Sequence, residues 1–205
     1  VPYPGADGPG IIDALQHGDP EGSVWRPGET DTSIRPGWFY HPAEDTLVRS
    51  PDDLVQLYCT SVGRNSKLLL NVPPTREGLL HPTDVANLLE MRRRLSELFA
   101  DDLTAGRHPE WRLIGARGGE LTVGLGRHTR VGLVDLREEI AQGQLVARYV
   151  VEGHDGARWR TLSEGRTIGC RKIDRCAPVA VDRVRLRILD ALAAPRPVRL
   201  GLHAG

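Results

Sequence analysis

Two hydrophobic periodicities divide the chain. Up to about residue 102, apolar positions recur at helical spacing or in one continuous run. Leu54, Leu57, Tyr58 and Ser61 fall at i, i+3, i+4 and i+7, one face of a helix. The preceding Ser50-Pro51-Asp52-Asp53 supplies a cap, a proline suited to the first helical position, and two carboxylates for the positive end of the helix dipole. Gly63 suits a helix stop, Asn65-Ser66 a turn, and residues 67–72 read as a buried parallel strand that Pro73-Pro74 ends. His81-Pro82-Thr83-Asp84 starts a second helix, with Val85, Leu88, Leu89, Arg92, Leu95 and Phe99 as its inner stripe. Residues 1–22 are rich in Gly, Pro, Asp and Gln, and read as loop with one helical turn at the apolar run 11–15.

Beyond residue 102 the period changes to short alternating runs. These are 121–123, 130–133, 145–151, 159–162, 167–171, 184–188 and 198–202, separated by turn signals such as Arg117-Gly118-Gly119 and His154-Asp155-Gly156. Regular short strands between such turns predict an antiparallel β-sandwich. Helix, apolar strand and helix before them is α/β grammar. The expectation is therefore α/β plus all-β, divided into residues 1–103 and 104–205, with the boundary near 103–110.

Composition narrows the function classes. The 205 residues carry a formal net charge of +0, which offers no electrostatic case for nucleic acid or an anionic membrane. No apolar run is long enough to span a bilayer. The opening Val1-Pro2-Tyr3-Pro4-Gly5 reads as mid-protein loop, so a processed, truncated or partial chain is expected. Of the three cysteines, Cys59 falls on a helical apolar stripe and reads as a buried thiol, while Cys170 and Cys176 sit at a spacing that a hairpin disulfide could bridge. An odd, low cysteine count points toward a reducing compartment. No metal-ligand spacing emerges; Glu138-Glu139 lacks the rest of a calcium loop.

The candidate chemistry lies in Ser23–His41, which crowds Trp25, Trp38, Phe39, Tyr40, Glu29, Asp31, Arg26 and Arg35 into a turn-rich loop. Flat rings beside carboxylates and guanidinium groups are what a carbohydrate pocket uses, rings on C–H faces and polar groups on hydroxyls. Trp38 is the leading candidate, against a core position under the rim. Glu29 reads as a hydroxyl ligand or as an ion-pair partner of Arg35 or Arg26; Asp31 reads as structural. Trp25 is a subsite wall or a packing residue. Asn71, at the strand end, faces a barrel mouth or caps the next turn. His41 reads as a loop hydrogen-bonder, Arg64-Asn65 as turn and ion-pair residues, Arg92-Arg93-Arg94 as a solvated helix face, and Trp159 as core.

The ordered motifs Trp25-x-Pro27-x-Glu29-x-Asp31-x-Ser33-Ile34-Arg35-Pro36-Gly37-Trp38-Phe39-Tyr40-His41, Ser61-Val62-Gly63-Arg64-Asn65, and Leu68-Leu69-Leu70-Asn71-Val72-Pro73-Pro74 with Gly78-Leu79 resemble the α-L-fucosidases of glycoside hydrolase family 29, most of all the subgroup acting on α-1,3/1,4-linked fucose. Leu136-x-Glu138-x-Ile140-x-x-Gly143-Gln144, Trp159, Gly165-x-Thr167-Ile168-Gly169 and Val184-Arg185-Leu186 are similar to that subgroup's C-terminal sandwich, so the resemblance covers roughly residues 11–203. It implies the C-terminal portion of a (β/α)8 barrel followed by a β-sandwich of the galactose-binding, discoidin-like kind. It also implies retaining hydrolysis without cofactor or metal, and a fucosylated oligosaccharide or glycoconjugate as partner, with Trp38 packing on the fucose ring and its methyl group. The family's Asp nucleophile and Glu acid/base belong to upstream motifs that nothing here matches. No catalytic residue is therefore assigned, the chain alone is expected to be inactive, and the missing N-terminal barrel segment becomes a possible partner. The alternative is a non-catalytic carbohydrate-binding or scaffolding fragment.

Overall fold

The computed structural model describes residues 8–17, 19, 22, 24, 28–141 and 143–205. Helix α1 (Ile11–His17) comes first. Strand β1 (Gly28–Ser33) follows, then a 3-10 turn at Pro42–Glu44, α2 (Pro51–Ser61), β2 (Ser66–Asn71) and α3 (Pro82–Leu98). Strands β1 and β2 pair in parallel, from Gly28 opposite Ser66 to Ser33 opposite Asn71. The sequence reading made residues 28–33 loop, because Gly-Glu-Thr-Asp-Thr-Ser has no large apolar side chain. It is the partner strand that makes it β.

The first helix signal holds in detail. Ser50 Oγ accepts from the Asp53 amide at 3.1 Å and the Asp53 carboxylate accepts from the Ser50 amide at 3.3 Å, a closed capping box. Leu54, Val55, Cys59 and Ser61 form the buried side of α2. The expected stripe of α3 is displaced: Val85 and Leu89 are exposed, and the buried residue of this helix is Asp84. Gly63 acts through space and not as a left-handed stop. A Cβ there would lie 2.3 Å from the Cys59 carbonyl oxygen and 2.7 Å from Ile173 Cβ. The left-handed turn residue is Asn65, at φ 64°.

The second region contains β3 (Glu110–Ile114), β4 (Gly118–Arg137), β5 (Val146–His154), β6 (Trp159–Gly165), β7 (Lys172–Ala191) and β8 (Arg199–His203). They form one antiparallel sheet in the order β3-β4-β7-β5-β6, with β8 on the later part of β4. The runs at 121–123 and 130–133 belong to one strand of 20 residues, interrupted in register between Gly124 and Thr129. Residues 167–171, expected as a strand, are loop and turn, and β3 was not foreseen. Apolar side chains from β4, β5, β6, β7 and β8 meet in a single buried cluster around Leu136, Val151, Val184, Leu186 and Leu202.

The two regions join along a defined seam. The Ile173 amide donates to the Gly63 carbonyl at 2.9 Å, and the Asn65 amide to the Arg171 carbonyl at 3.0 Å. Arg171 Nη1 donates to Tyr58 Oη at 2.6 Å, its other nitrogens grip Asp135, and its guanidinium lies 4.6 Å from the Phe99 ring centre. Cys59, Leu133 and Ile173 pack together beneath. All three cysteines are free, so Cys170 and Cys176 are not bridged. Among the described residues, no helix is long and apolar enough to cross a membrane.

Candidate functional site

The parallel pair presents two unlike faces. Gly28, Thr30, Thr32, Ser66, Leu68 and Leu70 are half-buried, whereas Glu29, Asp31, Lys67 and Leu69 are exposed on the alternate face. Strand β2 was expected to be buried on both sides; its Leu69 is 47% exposed, because nothing among the described residues covers it. Glu29 and Lys67 are register partners there and approach to 3.7 Å. Glu29 thus approaches Lys67; of its two expected partners, Arg35 is engaged elsewhere and Arg26 lies outside the described residues.

At the C-terminal ends of these strands the chain builds a polar knot beneath Trp38. Asn71 Nδ2 donates to the Trp38 carbonyl at 3.0 Å and lies 3.1 Å from Ser33 Oγ, which donates to the Gly37 carbonyl at 2.8 Å. The Ile34 amide continues the pairing to the Asn71 carbonyl at 2.9 Å, and Arg49 donates to the Ser33 carbonyl at 2.9 Å. Asn71 therefore both closes the turn and stands at the strand end. Above the knot, Trp38 is 52% and Phe39 79% exposed.

Trp38 and Asn71 are brought together. Glu29 is not: it sits four residues back along β1, about 13 Å at strand rise, at the opposite end. Trp25 and Arg26 lie outside the described residues. Around Glu29 and Asp31 opens a cleft of about 680 Å³, also lined by Arg64, Asn65, Gln144 and Thr167.

Sequence reasoning missed the charged cluster that anchors the Trp38 loop. The Arg35 side chain is fully buried. Its Nε and Nη2 donate to the two oxygens of fully buried Asp84, each at 2.9 Å, and Nη1 donates to Asp45 Oδ1 at 2.9 Å. Burial opposes its charge, but the bonds to Asp84 and Asp45 outweigh that and raise its pKa above the ordinary arginine value. The Tyr40 ring lies 4.8 Å from the guanidinium, and burial, then Asp45, pushes the Tyr40 phenol up. His81 Nδ1 accepts from the Thr83 amide at 3.3 Å and its Nε2 lies 3.4 Å from Asp45. The available signal was an arginine set directly between Ile34 and Pro36.

Other sequence candidates resolve into structural roles. Glu138 accepts from the Leu145, Val146 and Gly169 amides, at 2.5, 2.9 and 3.0 Å, and so braces two loops. Arg93 and Arg94 pair with Glu90, Glu97 and Asp52; hydrogen bonds from Arg93 and Arg94 hold the half-buried Glu90 carboxyl down at about 2. Trp159, expected in the core, is half-buried outside the apolar cluster, with Arg185 4.1 Å from its ring centre. Asn65 and Arg64 match their turn and ion-pair reading: Arg64 reaches Asp174 at 3.0 Å. Near it Lys172 is 3% exposed, and burial, then Arg64, lowers its pKa to about 8. No group of three or more His, Cys, Asp or Glu among the described residues could hold a metal ion.

Chemically, the strand-end arrangement offers an exposed indole and phenyl ring over a fixed amide and hydroxyl. It suits stacking on an apolar ring face and hydrogen bonding; of the carboxylates in this loop and on α3, Asp45 and Asp84 are bound to Arg35, while Glu44 Oε2 is buried with no hydrogen-bond partner among the described residues.

Residues 7–97 match the family model described as alpha-L-fucosidase. A rice protein (Oryza sativa subsp. japonica) assigned as alpha-L-fucosidase 1 is 31% identical over 207 residues, covering 87% of this chain and 39% of that protein. Alpha-L-fucosidase 1 of Arabidopsis thaliana is 30% identical over 222 residues, covering 92% of this chain and 42% of that protein. A crystal structure of a Bacteroides thetaiotaomicron protein assigned to the alpha-L-fucosidases superposes with a TM-score of 0.85 at 33% identity, over 93% of this chain and 48% of that one. The chain spans about two fifths of the length of the curated relatives it matches. The family-model match, the curated relatives and the solved structures all support the alpha-L-fucosidase family, glycoside hydrolase family 29.

Proposed function

We propose that the chain is the C-terminal portion of a retaining α-L-fucosidase acting on α-1,3/1,4-linked fucose, divided into a barrel-derived unit, residues 1–103, and a β-sandwich, residues 104–205. The observation that carries this reading is the uncovered face and free edges of the β1–β2 pair, with Trp38 and Asn71 at its C-terminal end. Parallel strands are normally buried on both faces, and a barrel places its site groups at the C-terminal ends. In this reading upstream strands cover Glu29, Asp31, Lys67 and Leu69 and supply the carboxylate nucleophile and acid/base, about 5–5.5 Å apart. Trp38 stacks on the fucose ring, and Asn71 holds its loop at the mouth. Glu29 and Trp25, assigned to sugar contact by resemblance, are the less supported part of the site; Glu29 stands at the other end of β1.

The test joins this chain to the upstream half of a family relative and compares fucose release from α-1,3/1,4-branched trisaccharides with release from an α-1,2-linked disaccharide. Preferential release from the branched sugars, lost in Trp38→Ala, supports the reading. Equal or reversed preference refutes the linkage assignment. No release from any fucoside by a folded fusion refutes the activity.

A further inference from the structure

We propose that Arg35 is a positioning residue that sets the presentation of the Trp38 ring, by tying both ends of the Trp38 loop to the first turn of α3. The sugar-contacting role of Trp38 rests on the function proposed above; the positioning role does not.

The geometry is that of a clamp. Arg35 opens the loop two residues after the end of β1, and Asp45 closes it ten residues later; one guanidinium nitrogen joins them at 2.9 Å. The other two nitrogens used are committed to Asp84, a buried carboxylate in the first turn of α3, in a two-point fork. A fork of this kind fixes direction as well as distance, which a lysine cannot do. Between the two ends, the Tyr40 ring packs on the guanidinium and on the His81 ring, whose centre is 5.9 Å away. The loop's middle is held from below by Asn71 and Ser33. Trp38 is thus the exposed crown of an arch whose feet and floor are all pinned. An exposed aromatic can serve as a stacking platform only if its plane is fixed before the ligand arrives, since ordering it afterwards subtracts from binding. Charged groups with no exposure are a costly way to hold a loop that only needs to be closed. Their presence at the feet of the loop that carries an exposed tryptophan ties the cost to the presentation of that ring.

The experiment labels the full 205-residue chain with 5-fluorotryptophan and records fluorine NMR. Loss of one resonance in Trp38→Phe assigns Trp38; Trp111→Phe and Trp159→Phe assign the two reporters of the β region. In Arg35→Lys, the Trp38 resonance is expected to move and sharpen toward that of a freely rotating exposed indole, while those of Trp111 and Trp159 stay in place. Asp45→Asn, which leaves the Arg35–Asp84 fork intact, is expected to give a smaller change in the same direction. A Trp38 resonance unmoved in both variants overturns the proposal. If Arg35→Lys disturbs all resonances, Asp45→Asn decides: a selective change at Trp38 supports the clamp, no change overturns it. L-fucose added to the unsubstituted chain separates the two readings. A Trp38 resonance indifferent to the sugar counts against the sugar contact and leaves the positioning result as it stands.

Discussion

The antiparallel region and the α/β region treat their apolar residues differently. In the first, Val131, Val134, Leu136, Val151, Val184, Leu186 and Leu202 have no exposed surface, and the strands that carry them enclose one shared cluster. In the second, Ile34, Leu54, Val55 and Cys59 are buried, but Leu69, Leu79, Leu80, Val85 and Leu89 stand in the open. Both regions have sufficient apolar content; they differ in closure. A sheet whose long strands share one buried cluster can finish its core locally, whereas parallel strands are normally covered on both faces by further elements. The seam at Gly63, Arg171 and Ile173 connects the region with the larger buried cluster to the one whose strand pair has an open face.

The sharpest way to break this contrast is to open the closed core. Leu186→Ala is expected to cost about 2–5 kcal/mol, and thermal denaturation followed by far-UV circular dichroism should show the antiparallel strands losing structure at lower temperature. A smaller but more telling change is Gly63→Ala. The added methyl meets the Cys59 carbonyl and Ile173 Cβ, and overpacking of this kind costs about 1–3 kcal/mol. Because it acts at the seam, hydrogen exchange should accelerate in α2 and β2 more than in β4 and β7. Equal acceleration in both would mean that the regions are one cooperative unit.

The third prediction uses the buried Lys172 at the start of β7. Its folded pKa of about 8 lies below the 10.5 expected in the unfolded chain. Below pH 8 both states are protonated and the folded protein bears the cost of a buried charge. Between pH 8 and 10.5 the unfolded state binds the extra proton, so this group makes stability rise with pH, by at most ~3 kcal/mol. In Lys172→Met, urea denaturation at pH 7, 8.5 and 10 should show that rise flattened. The smallest effect is expected on the open face. Leu69→Asn should alter the stability of this chain by no more than about 0.5 kcal/mol, although the same substitution in a closed barrel would place a polar group in its interior. A large loss in the chain alone would mean that the face is covered after all.

The sequence made some of these features readable and hid others, for physical reasons. Helix α2 was legible because its signals are local: a capping box, a first-turn proline and a repeat of apolar positions. The long strands β4 and β7 were legible in pieces, since alternation survives on either side of a bulge but does not reveal that the pieces are continuous. Strand β1 was invisible, because its evidence is the partner strand 38 residues away in register, not its own side chains. The α3 stripe was misplaced by a single assumption, that apolar residues face inward; the helix instead buries Asp84 and exposes Leu89. At the candidate site, Trp38 and Asn71 were visible from motif and strand position. The Arg35–Asp45–Asp84 cluster was not, because its members are 10 and 49 residues apart and each has an ordinary surface explanation.

The measurement that bears most directly on the central claim is release of free fucose from a branched α-1,3/1,4-fucosylated trisaccharide by this chain alone and by the chain supplied with the upstream half of a family relative, with Trp38→Ala as control in both. The account predicts no release by the chain alone and release by the completed protein that falls in the Trp38→Ala variant. Release by the chain alone, abolished in Trp38→Ala, would contradict it, and would turn Glu29 and Asp31 into the carboxylates that perform the reaction.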